Sequence, residues 1–404
     1  MKKVLIITYY WPPAGGVAVQ RWLKFVKYLP ELGWKPIVFH PENPDYPISD
    51  SSLAKDIPKE AEFIKLKIFE PFAWYKRFLG LSQDQKIQQN LTGIDADNWK
   101  QNIAMWVRAN VFIPDARCFW INPSYRRLNK YLQDNPVDWI VSNGTPHSTH
   151  LIALKLKKKH PHIKWLADFR DPWTGIDYFE SLPLTPWAKR RHKKLEKKVI
   201  TTADIVQTVS STWGREFEAI GAKKVSIITN GFDQSDFDGL VANQPKDKTV
   251  IAHLGTLNAE RNPISSWRKL SNTKFDKPLE IRLIGKVAPE VIKSLKEFGL
   301  WGRTKVIDQM PYKEALQEMF NAHILLLCVS DTKDIGGRTP AKAFEYLAAN
   351  KPIILDNENA KDLIEIIGKN RITDYSKIDK LLSTNYSKFS RLELTNKLVE
   401  LMND

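Results

Sequence analysis

The chain contains little cysteine: only Cys118 and Cys328 occur in 404 residues. They lie far apart and fit no disulfide or zinc spacing, which indicates a reducing compartment. The sequence also lacks an apolar run long enough to cross a bilayer. Its basic, apolar start at Lys2–Ile7 is too short for a signal peptide, because residues 9–13 interrupt it. We therefore expect a cytoplasmic protein whose first element is a strand.

Two kinds of motif are absent as well. No nucleic-acid-binding motif accompanies the net charge of +15. No DxD-type metal motif follows a predicted strand, so we expect neither a metal site nor a cofactor. The basic excess is concentrated in the first 240 residues, which favours an acidic partner there, such as an anionic membrane surface or a phosphorylated substrate. A solvated basic surface is the plainer alternative.

The length and composition predict two domains, because 404 residues that are 43% hydrophobic exceed what one core usually holds. The opening reads as strand, glycine loop, helix, turn and strand, which predicts a doubly wound α/β domain. A second sheet begins at residue 249, after a polar linker at 238–248. We therefore expect domains over residues 1–238 and 239–386.

The clearest local pattern in the chain lies at residues 338–356. Pro340 suits a helix N-terminus, and residues 341–349 are mostly good helix formers. Asn350 fits a left-handed cap that ends the helix. The apolar run Ile353–Leu355 then predicts a strand buried on both faces.

A phosphate site is predicted at the start of that helix. Gly336 and Gly337 allow a ligand to approach the backbone, and a helix N-terminus attracts phosphate. Lys342 and Glu345 lie three residues apart, so they share one helical face. The cation suits a diphosphate and the carboxylate suits a ribose diol. An ordinary amphipathic helix is the alternative.

The segment AKAFEYLAANKPIIL resembles the nucleotide-sugar signature of glycosyltransferase family 4, which has the GT-B fold. Further motifs that resemble the family occur in its order, namely SNGTPHSTH, DFRDPW, NGFD and GTLNAERNP. The resemblance covers nearly the whole chain and implies two Rossmann-like domains facing a central cleft. The first would bind the acceptor and the second the nucleotide sugar, with the terminal helix 387–404 packing back on the first. It also implies that Glu345 binds ribose and that Arg261 meets the diphosphate.

Donor-binding candidates cluster at predicted strand ends, where ligands bind in such folds. Arg261 and Lys342, with Lys286 as a third candidate, would neutralise a departing diphosphate. The family often carries a second Glu eight residues before the ribose Glu, where this chain has Gly337, so backbone N–H groups or Asp334 would contact the donor sugar. The loop after the first strand carries a glycine pair that matches the family. The donor-binding candidates are Gly15, Gly16, Gly255, Thr256, Arg261, Gly285, Lys286, Gly336, Gly337, Lys342 and Glu345.

Three residues are candidates for the catalytic base. Asp168 and Asp171 directly follow one predicted strand, and His147 follows the strand before it. Either a carboxylate or an imidazole there would accept the proton of an acceptor hydroxyl. With Arg261 and Lys342, they make up the predicted catalytic set. A loop-capping histidine and a structural ion pair of Asp168, Arg170 and Asp171 are the alternatives.

Two segments suggest a bilayer interface. Aromatic and basic residues are interspersed over residues 69–120, and residues 185–198 form a predicted basic helix. A helical insertion packed on the sheet and a solvated helix are the alternatives.

The sequence as a whole predicts a glycosyltransferase that moves a sugar from a nucleotide-diphosphate sugar to a hydroxyl of a glycan or lipid-linked acceptor in envelope polysaccharide or glycoconjugate synthesis. The resemblance implies retention of anomeric configuration. The missing metal motif fits transfer without a metal ion. We expect the enzyme to act at the inner face of the plasma membrane. A nucleotide-sugar epimerase of the same architecture and a non-enzymatic membrane-surface protein are the alternatives.

Overall fold

The computed structural model describes residues 1–46, 48–69, 99–330, 332, 335–373, 375 and 386–404, apart from the side chains of Val17 and Gln101. These residues form two compact units. The first comprises Met1–Thr229 with Leu394–Asp404, and the second comprises Asn230–Glu393. Each unit has its own parallel sheet with helices between the strands.

The first unit contains a seven-stranded sheet in the order β3-β2-β1-β4-β5-β6-β7, and all its strand pairs are parallel. The order reverses at β1, whose neighbours are β2 and β4. A reversal of this kind creates a ligand-binding crevice beyond the carboxyl ends of the strands. The strands are β1 (Lys2–Ile7), β2 (Trp34–Pro41), β3 (Glu62–Leu66), β4 (Trp139–Gly144), β5 (Lys164–Phe169), β6 (Ile205–Thr208) and β7 (Val225–Ile227).

Helices cover both faces of this sheet. Successive side chains of a strand point to opposite faces, and here both faces carry apolar residues that must be buried. Leu5 and Ile7 belong to one apolar cluster, while Val4 and Ile6 belong to another. The helices of the first unit are α1 (Val17–Tyr28), α2 (Trp99–Asn110), α3 (Ile121–Asp134), α4 (Ser148–Lys159), α5 (Asp177–Glu180), α6 (Pro186–Thr202) and α7 (Ser211–Ile220).

The second unit repeats the architecture with a five-stranded parallel sheet in the order β10-β9-β8-β11-β12. Here the order reverses at β8. The strands are β8 (Thr249–Leu254), β9 (Leu279–Ile284), β10 (Thr304–Ile307), β11 (Ile324–Leu327) and β12 (Ile353–Leu355), and the helices are α8 (Ile264–Asn272), α9 (Pro289–Glu297), α10 (Tyr312–Asn321), α11 (Ala341–Ala348) and α12 (Lys361–Ile367).

The terminal helix α13 (Arg391–Asn403) contributes its last residues to the first unit. Leu394, Leu398 and Met402 are buried in the cluster that also holds Val4 and Ile6. Their spacing of four residues places them on one face of the helix. The indole N–H of Trp139 donates to the carbonyl of Met402 at 2.9 Å, which ties the helix to β4.

The observed division of the chain differs from the predicted boundary at 238. Asn230 already belongs to the second unit, because Phe232 and Phe237 are buried in that unit's core. Strand β3 also lies outside the segments that the sequence predicts as strands. It is an edge strand with only Ile64 buried, so it lacks the apolar run that identifies the central strands. Among the described residues, no helix is long and apolar enough to cross a membrane.

Candidate functional site

The glycine turns at the ends of β8 and β9 are packed against each other in the second unit. Gly255 and Gly285 have φ angles of 112° and 120°, which other residues rarely adopt. The amide of Gly255 donates to Ile284 O at 2.7 Å, and a Cβ on Gly285 would lie 2.9 Å from Gly255 O. Gly285 therefore has no room for a side chain, and a side chain at Gly255 would be strained by its φ angle.

The side chain of Lys342, in the first turn of α11, reaches this glycine turn. A Cβ on Gly255 would collide with Lys342 Nζ. No described carboxylate forms a salt bridge with Lys342, whose pKa is lowered because burial disfavours the charged form. Arg261 is close enough to lower that pKa further, and it too has no described acidic partner. The arrangement is a partly buried cationic site suited to an anion.

Glu345 adjoins this cationic site. It raises the pKa of Lys342, while burial raises the pKa of Glu345 itself. The hydroxyl of Tyr312, the first residue of α10, donates to Glu345 Oε1 at 2.9 Å. A carboxylate has about four acceptor positions, so most of them remain open to a ligand.

Buried hydrogen bonds hold the scaffold beneath these groups. The amide of Leu254 donates to the hydroxyl of Tyr346 at 3.1 Å, which connects β8 to α11. His253 Nδ1 lies 2.9 Å from Leu326 O, which connects β8 to β11. Burial, with a smaller effect from Lys342, lowers the pKa of His253 to about 3, so this histidine is neutral at physiological pH.

The other donor-binding candidates of the second unit are close in sequence to the two glycine turns or to α11. They form fewer side-chain contacts than Lys342 and Glu345. Thr256 and Lys286 are exposed, and the amide of Leu257 donates to Lys286 O at 2.8 Å, which links the two loops. Gly336 and Gly337 form a short 3-10 turn, Ile335–Gly337, before α11. Asp334 lies outside the described residues, so its predicted contact with the donor sugar stays a prediction.

In the first unit, Asp168 occupies a place that its predicted role as base does not fit. It is fully buried, and its carboxylate accepts hydrogen bonds from Arg21 Nε at 2.9 Å, Trp22 Nε1 at 2.7 Å and Gln207 Nε2 at 3.1 Å. Arg21 also donates to the carbonyls of Ile228 and Thr229. Asp168 is therefore a structural anchor between β5 and α1. Of the ion pair that the sequence suggested, Arg170 and Asp171 do pair, whereas Asp168 pairs with Arg21 instead.

Asp171 is the carboxylate of this loop that solvent can reach. Its side chain is 28% exposed, and Oδ2 accepts two hydrogen bonds from Arg170, at 3.0 and 2.8 Å. The carboxylate raises the pKa of Arg170, so the guanidinium is charged. No described residue takes up Oδ1. Asp171 thus remains a candidate base, with one oxygen oriented by Arg170.

His147 is buried, and its ring stacks on Trp173 with a centroid distance of 4.7 Å and an interplanar angle of 4°. Burial lowers the pKa of His147 well below its ordinary value, and the nearby His150 lowers it further. The ring is therefore neutral and its plane is fixed. The structure places His147 and Asp171 close enough to interact electrostatically.

A contact that the sequence did not predict holds the loop after β5. Glu196 on α6 is buried and accepts hydrogen bonds from the amides of Trp173 and Thr174 at 3.2 and 3.0 Å and from the hydroxyl of Thr174. Trp173 Nε1 donates to His192 Nδ1 at 3.0 Å. The inner face of α6 thus positions the loop that carries Asp171. A single glutamate among the basic and apolar residues of α6 was the sequence feature that pointed to this role.

The glycine pair of the first loop has a packing role. Gly15 donates its amide to Ile48 O at 2.9 Å, and a Cβ there would lie 2.9 Å from Ile48 Cγ2. Gly16 has a φ of 85° at the start of α1. These contacts account for both glycines, and their predicted donor-binding role stays a prediction.

The aromatic and basic segment separates into core and surface. Trp120 is buried and stacks on Phe39 at 5.5 Å, as the packed-insertion alternative predicts. Trp99 and Trp106 are exposed by 62% and 47%. Residues 70–98, which include several of the aromatic residues that suggested a bilayer interface, lie outside the described part of the chain.

Helix α6 presents a basic face opposite the face that holds Glu196. Lys158 of α4 lies beside this face, and its contact with Lys198 lowers the pKa of Lys158. None of the basic side chains on this face forms a salt bridge with a described carboxylate. Its exposed residues are Trp187, Arg190, Arg191, Lys193, Lys194, Lys197 and Lys198. In the described residues, no group of three or more histidines, cysteines or carboxylates is arranged to hold a metal ion.

Comparison with known proteins identifies the family. The family model described as Glycosyltransferase Family 4 matches residues 14–236, more than half of the chain. The chain belongs to glycosyltransferase family 4. It is therefore a glycosyltransferase, and the predicted family and enzyme class are confirmed. No curated protein matches it.

Solved structures of glycosyltransferases share the fold at low identity. Sucrose-phosphate synthase from Thermosynechococcus elongatus is 12% identical, with a TM-score of 0.60 over 100% of this chain and 98% of that one. Anabaena HepE in complex with UDP is 11% identical, with a TM-score of 0.59 over 100% of both chains. The lipopolysaccharide outer core galactosyltransferase WaaB is 13% identical, with a TM-score of 0.58 over 100% of this chain and 99% of that one. The predicted GT-B class, with two Rossmann-like α/β domains, is confirmed.

Proposed function

We propose that this glycosyltransferase takes a sugar from a nucleotide-diphosphate sugar and transfers it, with retention and without a metal ion, to a hydroxyl of a glycan or lipid-linked acceptor. The observation that carries the proposal is the cationic site of Lys342 and Arg261 beside the Gly255 turn, with Glu345 adjacent. Family membership argues against the epimerase alternative.

The cationic site matches the charge that develops when the donor's glycosidic bond breaks. A departing nucleoside diphosphate gains negative charge, and cations placed where that charge appears stabilise the transition state. No described carboxylate forms a salt bridge with Lys342 or Arg261, so their charges are available to phosphate oxygens. Two such cations would supply the charge stabilisation that a metal ion provides in other transferases.

Glu345 would hold the ribose of the same nucleotide. It lies one helical turn beyond Lys342, so phosphate and ribose would be bound by one face of α11. The Tyr312 hydroxyl restrains Oε1 and leaves Oε2 for the diol. HepE, which shares the fold, has been solved with UDP, with UDP and glucose, and with UDP-glucose, which supports a nucleotide-sugar donor here.

The first unit would then bind the acceptor, with Asp171 accepting the proton of its hydroxyl. The basic face of α6 supports an acceptor at an anionic membrane surface. The protein would then be cytoplasmic and act at the inner face of the plasma membrane. Its product would belong to envelope polysaccharide or glycoconjugate synthesis. The exposed Trp187 on this face is typical of residues that lie at a bilayer interface.

A donor panel tests the proposal as a whole. Purified protein is incubated with nucleotide-diphosphate sugars that differ in base and sugar, and release of free nucleoside diphosphate is measured. We expect release from one donor well above the others, and binding of the matching nucleoside diphosphate by calorimetry. Binding of none of the nucleoside diphosphates would contradict the donor assignment.

Replacing Glu345 with Gln should weaken binding of the nucleoside diphosphate by about one to two orders of magnitude. Gln has a single acceptor oxygen, and each charge-assisted hydrogen bond contributes about 1.5–3 kcal/mol. Calorimetry measures the change, with Glu314→Gln, an exposed substitution on α10, as the matched control. Equal affinities for Glu345→Gln and the wild type would show that Glu345 is only a helix residue that pairs with Tyr312.

Vesicle binding tests the membrane assignment. We expect the protein to bind vesicles of anionic lipid at low salt and to dissociate as salt is raised. A Lys near the surface contributes about 1 kcal/mol, so Lys194→Gln and Lys198→Gln should each weaken binding about fivefold. The control pair is Lys293→Gln and Lys313→Gln, both exposed in the second unit. The absence of binding at low salt would contradict the membrane assignment and favour a soluble acceptor.

A further inference from the structure

A buried chain of hydrogen bonds runs from β5 through β4 to α4. Trp165 Nε1 donates to Ser142 Oγ at 2.9 Å, and Ser142 Oγ lies 2.7 Å from His150 Nδ1. An indole N–H can only donate, so Ser142 Oγ is an acceptor in the first bond. No other acceptor for the Ser142 hydroxyl is present among the described residues. The hydroxyl therefore donates to His150 Nδ1, which places the proton of the neutral His150 ring on Nε2.

The other side of the His150 ring faces His147. His150 Nε2 and His147 Nδ1 are both buried, and neither has a hydrogen-bond partner among the described residues. The two rings are 0% and 5% exposed. A Cβ on Gly144 would lie 2.5 Å from His150 Nε2 and 3.2 Å from His147 Nδ1. Both nitrogens thus border the same small space, which the absence of a side chain at Gly144 keeps open.

Buried polar groups are hydrogen-bonded in nearly all proteins, either to each other or through an ordered water. One nitrogen of this pair carries a proton and the other can accept one. A donor on His150 and an acceptor on His147 are therefore complementary across the space beside Gly144. The opposite assignment would leave two donors facing each other.

We propose that His150, fixed by Ser142 and Trp165, is a positioning residue that sets the tautomer of His147. Its Nε2–H donates to His147 Nδ1, directly or through one water beside Gly144. His147 then carries its proton on Nε2 and acts as a hydrogen-bond donor, not as a base. Resting on the proposed function, the expected partner of this Nε2–H is an oxygen of the sugar substrate.

Two further features agree with this assignment. Burial lowers the pKa of His150 to about 3, and it lowers the pKa of His147 well below its ordinary value, so both rings are neutral. The groups that act on His147 are His150, Asp171, His192 and Arg170, and among them only Asp171 favours its protonated form. The Trp173 stack fixes the plane of the ring while His150 would fix its proton.

Nitrogen NMR on the ligand-free protein tests the tautomer without reference to activity. In protein labelled with ¹⁵N-histidine, long-range proton–nitrogen correlations distinguish protonated from unprotonated ring nitrogens, and His147→Gln and His150→Gln assign the signals. We expect unprotonated Nδ1 and protonated Nε2 in both His147 and His150. The exposed His162 is the internal reference. A His147 proton on Nδ1 would overturn the proposal, whatever the donor panel shows.

Two variants then test the role of His150. His150→Leu removes the donor, so His147 should become a mixture of tautomers and kcat/KM should fall about fivefold to tenfold, the effect of one hydrogen bond. His150→Gln keeps an N–H in place and should retain the single tautomer and most of the activity. An unchanged His147 tautomer in His150→Leu would overturn the proposal that His150 sets it. If His150→Leu does not fold, the same comparison is made with Ser142→Ala, which frees the His150 tautomer, and an unchanged His147 tautomer there has the same meaning.

Discussion

Replacing Lys342 with Met should lower turnover by about two to three orders of magnitude without lowering the melting temperature. The expected loss is that of one group that stabilises charge in a transition state. The Met side chain retains the apolar stem of the lysine, so packing against the Gly255 turn is preserved. Arg261→Ala should reduce turnover in the same direction, because both cations would face the departing diphosphate.

The stability argument follows from the lowered pKa of Lys342. Burial makes its protonated form less favourable in the folded protein than in the unfolded chain. Where the side chain is charged, that charge therefore costs folding free energy in the absence of ligand. An uncharged replacement removes that cost, so Tm should stay constant or rise. A site that weakens the fold but binds the substrate is the expected pattern for functional residues.

Turnover of Lys342→Met is compared with that of Lys313→Ala, an exposed lysine change on α10. Both variants are followed by single-turnover kinetics with the donor found in the panel and by thermal melts. Near-normal turnover of Lys342→Met together with an unchanged Tm would show that Lys342 does not stabilise the departing diphosphate. A large drop in Tm would show instead that Lys342 has a structural function.

The sequence predicted the second unit well because its signals are local. Strand β8 begins at the predicted residue, β12 has the predicted bounds, and α11 begins directly after Pro340. The glycines at 255 and 285 indicated turns, and the positive φ values at both follow from that requirement. Lys342 and Glu345 are neighbours on one helix, so their proximity needed no knowledge of the tertiary structure.

The first unit was harder to predict because its key contacts join distant residues. Arg21 and Asp168 are separated by 147 positions, so no local pattern reveals their ion pair. Their position after a predicted strand suggested that either Asp168 or Asp171 is the catalytic base. The structure distinguishes them, because Asp168 is fully buried and Asp171 is partly exposed. Tyr312 at Glu345 and Glu196 at Trp173 are likewise contacts between separate elements. Only the packing of helices on the sheet brings such residues together.

The two aspartates of the DFRD motif should therefore respond differently to the same substitution. Asp168→Asn would leave the buried Arg21 without its anion, and breaking a buried ion pair costs about 3–5 kcal/mol. We expect a large fall in Tm for this variant. Asp171→Asn breaks a partly exposed pair that contributes about 1 kcal/mol or less. Its Tm should stay close to that of the wild type.

The activity of Asp171→Asn is the decisive measurement for the acceptor side. An amide cannot accept the proton of a hydroxyl, and loss of a general base lowers turnover by about 10²–10⁴-fold. Because the donor contacts are assigned to the second unit, the affinity for the nucleoside diphosphate should not change. Asp134→Asn, an exposed change on α3, is the control. Transfer at the normal rate by Asp171→Asn would exclude this carboxylate as the base. Since His147 would hold its proton on Nε2, a group on the acceptor or an oxygen of the leaving phosphate would then be the next candidate for the base.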